Sequence, residues 1–147
     1  MKELIHQFFD DYASRFNKAL KGEDPDIAST IDSFAACFVE ASPAGVICSK
    51  NDERFKEAIP KGYAFYKSIG TVSMKIGSKA ITVLDEHHAM VKVHWQSLYE
   101  KKEGNREEIG FDVHYFVQVM DNKVKIFAYV TGDEQQLLQE KGLVPYR

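Results

Sequence analysis

Met90-Val91-Lys92-Val93-His94-Trp95-Gln96-Ser97-Leu98-Tyr99 alternates at a period of two, and so does Ile109-Gly110-Phe111-Asp112-Val113-His114-Tyr115-Phe116-Val117-Gln118-Val119-Met120. Successive side chains of a strand point to opposite faces. Val91, Val93, Trp95, Ser97 and Tyr99 therefore share one face, and Met90, Lys92, His94, Gln96 and Leu98 share the other. The second strand sets Ile109, Phe111, Val113, Tyr115, Val117 and Val119 against Gly110, Asp112, His114, Phe116, Gln118 and Met120. One face is apolar and aromatic and has to be covered; the other meets water or a partner.

The turn between them constrains the register. Gly104-Asn105 has the form of a two-residue hairpin loop. Strict pairing across it sets odd residues against even ones, Val93 opposite Phe116 for instance, and sends the two apolar faces to opposite sides of the sheet. A buried face forbids that, so a bulge or an odd-numbered loop is expected to restore the register. Trp95 is then expected beside Val113 or Tyr115, and His94 near His114.

Outward from this pair, 147 residues are expected to form one domain, 1–147, burying roughly 68–70% of the unfolded surface. Ten Phe and seven Tyr need a sizeable core or an aromatic-lined cavity. A formal net charge of −3 with no basic run argues against nucleic acid as the main partner. No apolar stretch reaches the ~20 residues of a membrane span. Met1-Lys2-Glu3-Leu4 opens directly into an amphipathic pattern, unlike a signal peptide. These features imply a soluble cytoplasmic protein with no membrane partner. Cys37 and Cys48 lie in no metal spacing and read as two reduced, buried thiols, with a redox pair as the alternative.

Before the central pair, Leu4, Ile5, Phe8, Phe9, Tyr12, Phe16, Ala19 and Leu20 form a helical stripe that stops at Lys21-Gly22. Asp24-Pro25 is expected to open a short second helix, with Asp24 as its N-cap and Ile27, Ile31 and Phe34 on its buried side. Ala36–Ala41 and Val46–Ser49 read as strands around Ser42-Pro43-Ala44-Gly45. Ser49, with Asp52 three residues on, gives a capping-box-like start to a third helix carrying Phe55, Ile59, Tyr63, Tyr66 and Ile69. Pro60 removes a backbone donor, at a cost of ~3 kcal/mol, so a kink or break is expected between Ala58 and Gly62. Gly77-Ser78 marks a bulge or sharp bend in a strand over Thr71–Leu84. Asp121-Asn122 turns the chain into a last strand, Lys123–Val130, before a short helix over Glu134–Lys141. The order is α+β.

At this point the chain resembles the nuclear transport factor 2-like, or SnoaL-like, superfamily over nearly its whole length. The resemblance is carried by the first helix ending at Lys21-Gly22 and the short second helix closing on Phe34. It is also carried by Phe38-Val39-Glu40-Ala41-Ser42-Pro43-Ala44-Gly45 and by Val117-Gln118-Val119-Met120-Asp121-Asn122-Lys123-Val124. It implies a cystatin-like cone, in which a curved antiparallel sheet wraps a long N-terminal helix with two further helices and leaves an apolar pocket at the open end. It also implies a homodimer paired through the outer sheet face. Members include isomerases, cyclases and dehydratases as well as pure binding modules, so the fold does not set the function. Ketosteroid isomerases carry an oxyanion-stabilising Tyr late in the first helix, where this chain has Arg15-Phe16, with Tyr12 a turn earlier. Their Asp base matches Ala41-Ser42, and their second acid matches Tyr115. None of the three is retained, although a small shift brings Glu40 to the base's place.

The candidate ligand-binding set is Phe16, Tyr63, Tyr66, Trp95, Phe111, Tyr115 and Tyr129, an apolar wall with hydroxyl and indole handles suited to a small apolar or aromatic molecule. Filling of the core is the competing role for each of these rings. Glu40 is a candidate acid/base if it is buried at the pocket mouth, and an ordinary exposed Glu otherwise. Lys92, His94, Gln96, Asp112 and His114 form a polar cluster on the other face. Solvation or dimer contact is the reading there, since the His spacing matches no zinc pattern. No cofactor or metal is implied. The expected function is small-molecule binding, against two alternatives: a non-catalytic homodimeric interaction module, or an isomerase/dehydratase-type enzyme.

Overall fold

The computed structural model describes residues 1–145. Helix α1 (Lys2–Leu20) and helix α2 (Ile27–Asp32) precede strands β1 (Phe34–Ser42) and β2 (Gly45–Lys50). Helix α3 (Glu53–Ser68) leads into β3 (Thr71–Val83), β4 (His88–Glu100), β5 (Arg106–Met120) and β6 (Lys123–Thr131), and α4 (Glu134–Glu140) follows. The six strands form one sheet in the order β2-β1-β6-β5-β4-β3. Every junction is antiparallel except β1 with β6, which run parallel.

The register is restored by an odd-numbered loop. Glu100 pairs with Arg106, leaving five residues, 101–105, between β4 and β5, and the pairing then runs without a bulge to His88 opposite Gln118. Trp95 and Tyr115 do share a face, but the direct partner of Trp95 is Phe111, not Val113 or Tyr115. His94 lies opposite Asp112, and Lys92 opposite His114. The loop takes Lys101–Glu103 as well as Gly104-Asn105, and this shifts each pair along from the expected one. The expected irregularity at Gly77 is present: pairing steps from Ile76–Trp95 to Ser78–His94. Asp121 and Asn122, both at positive φ, close β5 onto β6.

The inner face is covered as the alternation requires. Ile5, Phe9 and Ala13 of α1 are buried in one cluster with Val91, Val93, Trp95, Val113, Tyr115 and Val117. Each such fully buried aliphatic or aromatic side chain stabilises the fold by about 1.5–3 kcal/mol. Asn17 fixes α1 to β3: its side chain donates to the Met74 carbonyl (2.7 Å) and accepts from the Met74 amide (2.7 Å). The first helix stops at Lys21-Gly22, with Gly22 at φ 91° and the Glu23 amide donating back to the Lys18 carbonyl at 3.1 Å.

Four local expectations are corrected. Asp26, not Asp24, is the N-cap of α2, accepting from the Ser29 amide at 3.1 Å, so the helix begins two residues later. Helix α3 is capped by Asp52, not by Ser49 in a capping box, and it runs through Pro60 without a break. One missing backbone bond is outweighed by the residues on either side, which hold the remaining ladder. No side chain of α3 is fully buried, because this helix forms the outer wall of a cleft. Cys37 and Cys48 are exposed free thiols, not buried ones. Cys48 lies opposite Val39, β2 is the edge of the sheet, and among the described residues nothing covers this face of the hairpin.

Candidate functional site

Between α1, α3 and the inner sheet face lies a cavity of about 1490 Å3. Phe16, Tyr63, Tyr66, Trp95, Phe111, Tyr115, Tyr129 and Glu40 all line it, so one site brings the whole candidate set together. Each arrives for a local reason. Tyr12 and Phe16 are one helical turn apart on α1, and Tyr63 and Tyr66 are three apart on α3, so each pair faces the same way. Phe16 meets Tyr63 and Tyr66 edge-on, with ring centroids 5.2 and 5.3 Å apart. Trp95, Phe111 and Tyr115 are odd-numbered positions on two strands paired odd to odd. Phe111 is half-buried and packs also against the smaller cluster of Tyr99, Ile109 and Leu138.

One polar contact in the cavity floor is buried. The Trp95 indole donates from Nε1 to the Tyr115 hydroxyl at 3.1 Å. That hydroxyl thus acts as an acceptor, and its own proton has no acceptor among the described residues. Burial pushes the Tyr115 phenol well above its ordinary pKa, with Tyr12 adding to the effect. Burial likewise raises Tyr12 to about 12. Both phenols therefore stay neutral across physiological pH and remain hydrogen-bond donors.

Two half-buried carboxylates, Glu40 and Glu134, stand in the cavity wall, beside the exposed Asp52 and Asp112. Glu40 on β1 lies beside Tyr129 on β6 across the parallel junction. The Tyr129 hydroxyl donates to its Oε1, and Ser49 Oγ donates to its Oε2 at 2.8 Å. Burial first, and the Glu40 hydrogen bond second, push the Tyr129 phenol up. The other is Glu134, at the start of α4, which accepts from the Tyr66 hydroxyl at 2.6 Å. Burial raises the Glu134 carboxyl above its ordinary 4.5, and the Tyr66 hydrogen bond opposes the rise. Sequence reasoning missed Glu134. A helix of seven residues has too short a pattern to mark an inward face, and nothing local links it to Tyr66, 68 positions earlier.

The outer face carries the expected polar cluster. His94 Nδ1 lies 2.8 Å from Asp112 Oδ1, and Lys92 Nζ lies 3.9 Å from Asp112 Oδ2. The His94 hydrogen bond is the main cause holding the Asp112 carboxyl below its usual range. The His94 ring lies close over Gly77 and Gly110: a Cβ built on either would come within 3.1–3.2 Å of it. Among the described residues no group of three or more His, Cys, Asp or Glu side chains is placed to hold a metal ion. Nor is any described helix long and apolar enough to cross a membrane.

A long helix wrapped by a curved sheet, with a cavity left at one end, defines a cystatin-like α+β cone. The family model described as NTF2-like protein (DUF6841) matches residues 2–134, and the chain belongs to this NTF2-like family. Solved structures agree on the fold. An NTF2-like protein with a cystatin-like fold from Novosphingobium aromaticivorans superposes with a TM-score of 0.68 at 10% identity, covering 99% of this chain and 89% of its own. An NTF-2-like protein of unknown function from Shewanella oneidensis gives 0.65 at 17% identity, covering 90% and 98%. A ketosteroid isomerase-like protein from Erwinia carotovora gives 0.60 at 15% identity, covering 88% and 93%. A comparison with curated proteins finds no match to the sequence.

Proposed function

We propose that this NTF2-like chain, acting as one domain over 1–147, binds a small, largely apolar or aromatic molecule in the cone. The observation that carries the reading is the convergence of eleven aromatic residues, the seven expected from the sequence among them, on one cavity that they leave unfilled. Phe16 and Phe111 supply apolar wall; Trp95, Tyr115, Tyr63, Tyr66 and Tyr129 orient the ligand through rings and hydroxyls. The free hydroxyl protons of Tyr12 and Tyr115 suit a carbonyl or other acceptor on the ligand. No cofactor is needed for binding of this kind. Two free thiols fit a reducing cytoplasmic setting. The test is a metabolite screen read by Trp95, the single Trp of the chain. Saturable quenching together with a rise in Tm supports the reading; a screen of aromatic and alicyclic metabolites that moves neither removes it.

Two further readings rest on particular observations. Met90, Phe116 and Phe127 are half-buried on the outer face, with the Phe116 and Phe127 ring centroids 6.2 Å apart. This apolar belt supports a homodimer, and with it an interaction role. Phe116→Glu is expected to convert a dimer to a monomer in sedimentation, and a wild-type monomer at high concentration removes the role. The Glu40 carboxylate at the cavity supports acid–base turnover of the isomerase or dehydratase kind, and a structural neighbour named ketosteroid isomerase-like has the same fold. Glu40→Gln abolishes such turnover, and a ligand turned over equally by wild type and variant excludes Glu40 as the base.

A further inference from the structure

The two cavity carboxylates share a property that the aromatic walls alone do not require: neither meets a cation. Glu134 and Glu40 accept hydroxyl hydrogen bonds from Tyr66, Tyr129 and Ser49, and neither takes part in an ion pair among the described residues. A carboxylate withdrawn from water without a counter-charge is costly unless something positive arrives. The lining carries Glu40, Asp52, Asp112 and Glu134 against Lys50 and Arg54. Asp112 already pairs with His94 and Lys92 on the outer face and Asp52 caps α3, which leaves Glu40 and Glu134 as the carboxylates without a partner charge or cap. Both basic residues are exposed, as are Asp52 and Asp112, whereas Glu40 and Glu134 are half-buried. Alternation places Lys50 on the opposite face of the β1–β2 hairpin from Glu40 and Ser49. Arg15 donates to Ser33 Oγ at 2.8 Å and does not line the cavity.

Glu134 shares the cavity with an aromatic cluster that suits an organic cation, Tyr66 being the ring that touches it. Tyr66 holds the carboxylate at 2.6 Å, and Phe16 stands edge-on between Tyr66 and Tyr63. Aromatic faces around an anionic group attract an alkylated ammonium through the ring quadrupole while the charge is met by the carboxylate. We propose that the ligand of this cavity is an amine or quaternary ammonium on an apolar or aromatic body, its cationic head held at Glu134 among Phe16, Tyr63 and Tyr66. The inference rests on the small-molecule-binding reading above and adds the ligand's charge to it. Glu40, with its two hydroxyl donors, provides a second negative wall that disfavours an anionic ligand.

Three probes with one aromatic body separate the possibilities: phenethylamine, phenethyl alcohol and phenylacetate, titrated against the full chain with Trp95 fluorescence as the readout. The amine is expected to bind at least about tenfold tighter than the alcohol, a difference of about 1.4 kcal/mol, with phenylacetate weakest. Glu134→Gln keeps the Tyr66 hydrogen bond to an amide oxygen, removes the charge, and is expected to bring amine and alcohol within about threefold of each other. An unchanged far-UV circular dichroism spectrum and a cooperative melting transition of Glu134→Gln show that the variant remains folded. Glu40→Gln reduces the preference by a smaller factor and serves where Glu134→Gln proves unstable. Equal binding of amine and alcohol, tightest binding of phenylacetate, or a preference untouched by Glu134→Gln overturns the cationic ligand and leaves the cavity reading intact. Absence of binding by all three probes overturns both.

Discussion

Trp95 donates its indole N–H to the hydroxyl of Tyr115 across two residues that are only 3% and 7% exposed. Neither is the other's direct partner in the ladder, since Trp95 faces Phe111 and Tyr115 faces Val91. The bond therefore runs diagonally over the inner face, and it ties the floor of the cavity to the register of β4 on β5. Tyr115→Phe removes the acceptor and leaves a buried N–H without a partner, a loss of about 1–3 kcal/mol. In a chain of this size each kcal/mol lowers Tm by about 2–4 °C. Calorimetry checks this, and an unchanged Tm would mean the bond contributes nothing net.

Gly70 ends the turn after α3 at φ 87°, with its carbonyl accepting from the Glu100 amide at 2.8 Å. A Cβ at this position would lie 2.2 Å from the Glu100 carbonyl oxygen, which is backbone and cannot swing away. Gly70→Ala is expected to cost about 3 kcal/mol or more in urea unfolding. Gly22 has a similar φ of 91° but open space around it, so Gly22→Ala should cost only the conformational strain, about 1–2 kcal/mol. Equal losses for the two variants would contradict the steric account.

Glu134 and Asp32 should drive stability in opposite directions with pH. Burial raises the Glu134 carboxyl above 4.5 in the folded protein. Its contribution is thus fully present below that value and lost as pH rises through the folded pKa. Glu134→Gln is expected to be more stable than wild type at neutral pH, with the difference vanishing below pH 4.5. Asp32, held low first by the Lys125 hydrogen bond and then by its charge, behaves in reverse. Its stabilisation is present above its ordinary 3.8 and lost as pH falls through the folded pKa. Lys125→Met should therefore flatten the acid limb of a Tm-against-pH profile.

Cys37 and Cys48 are both exposed on the edge hairpin. A thiol reagent should titrate two groups in the native protein at rates close to those of the unfolded chain. Slow labelling of either thiol in a monomeric sample would contradict the exposed placement.

Alternation alone was enough to put Trp95 and Tyr115 on one face and the helices over it, because a period of two leaves a buried face no freedom. Loop length was harder. Lys101–Glu103 is polar, as either a strand end or a loop is, so nothing in it distinguishes two loop residues from five, and His94 came to face Asp112. The thiols were misjudged for a different reason. Burial depends on what covers a strand, and the edge position of β2 is a property of the whole sheet order. The same limit hid Glu134. Its role comes from Tyr66, a contact between the last helix and the third that no local pattern encodes. Pro60 is the opposite case: a local rule was legible and tertiary structure overrode it.

The most direct measurement of the central claim is the chemical shift of the Trp95 indole N–H, the single indole resonance of the chain, during titration with aromatic small molecules. A ligand in the cone sits against Trp95 and perturbs its bond to Tyr115, so a saturable shift of that resonance is expected, lost or reduced in Tyr115→Phe. A fixed indole resonance, with shifts confined to Lys92, His94 and Phe116 on the outer face, would contradict a binding cavity and place recognition on the other side of the sheet.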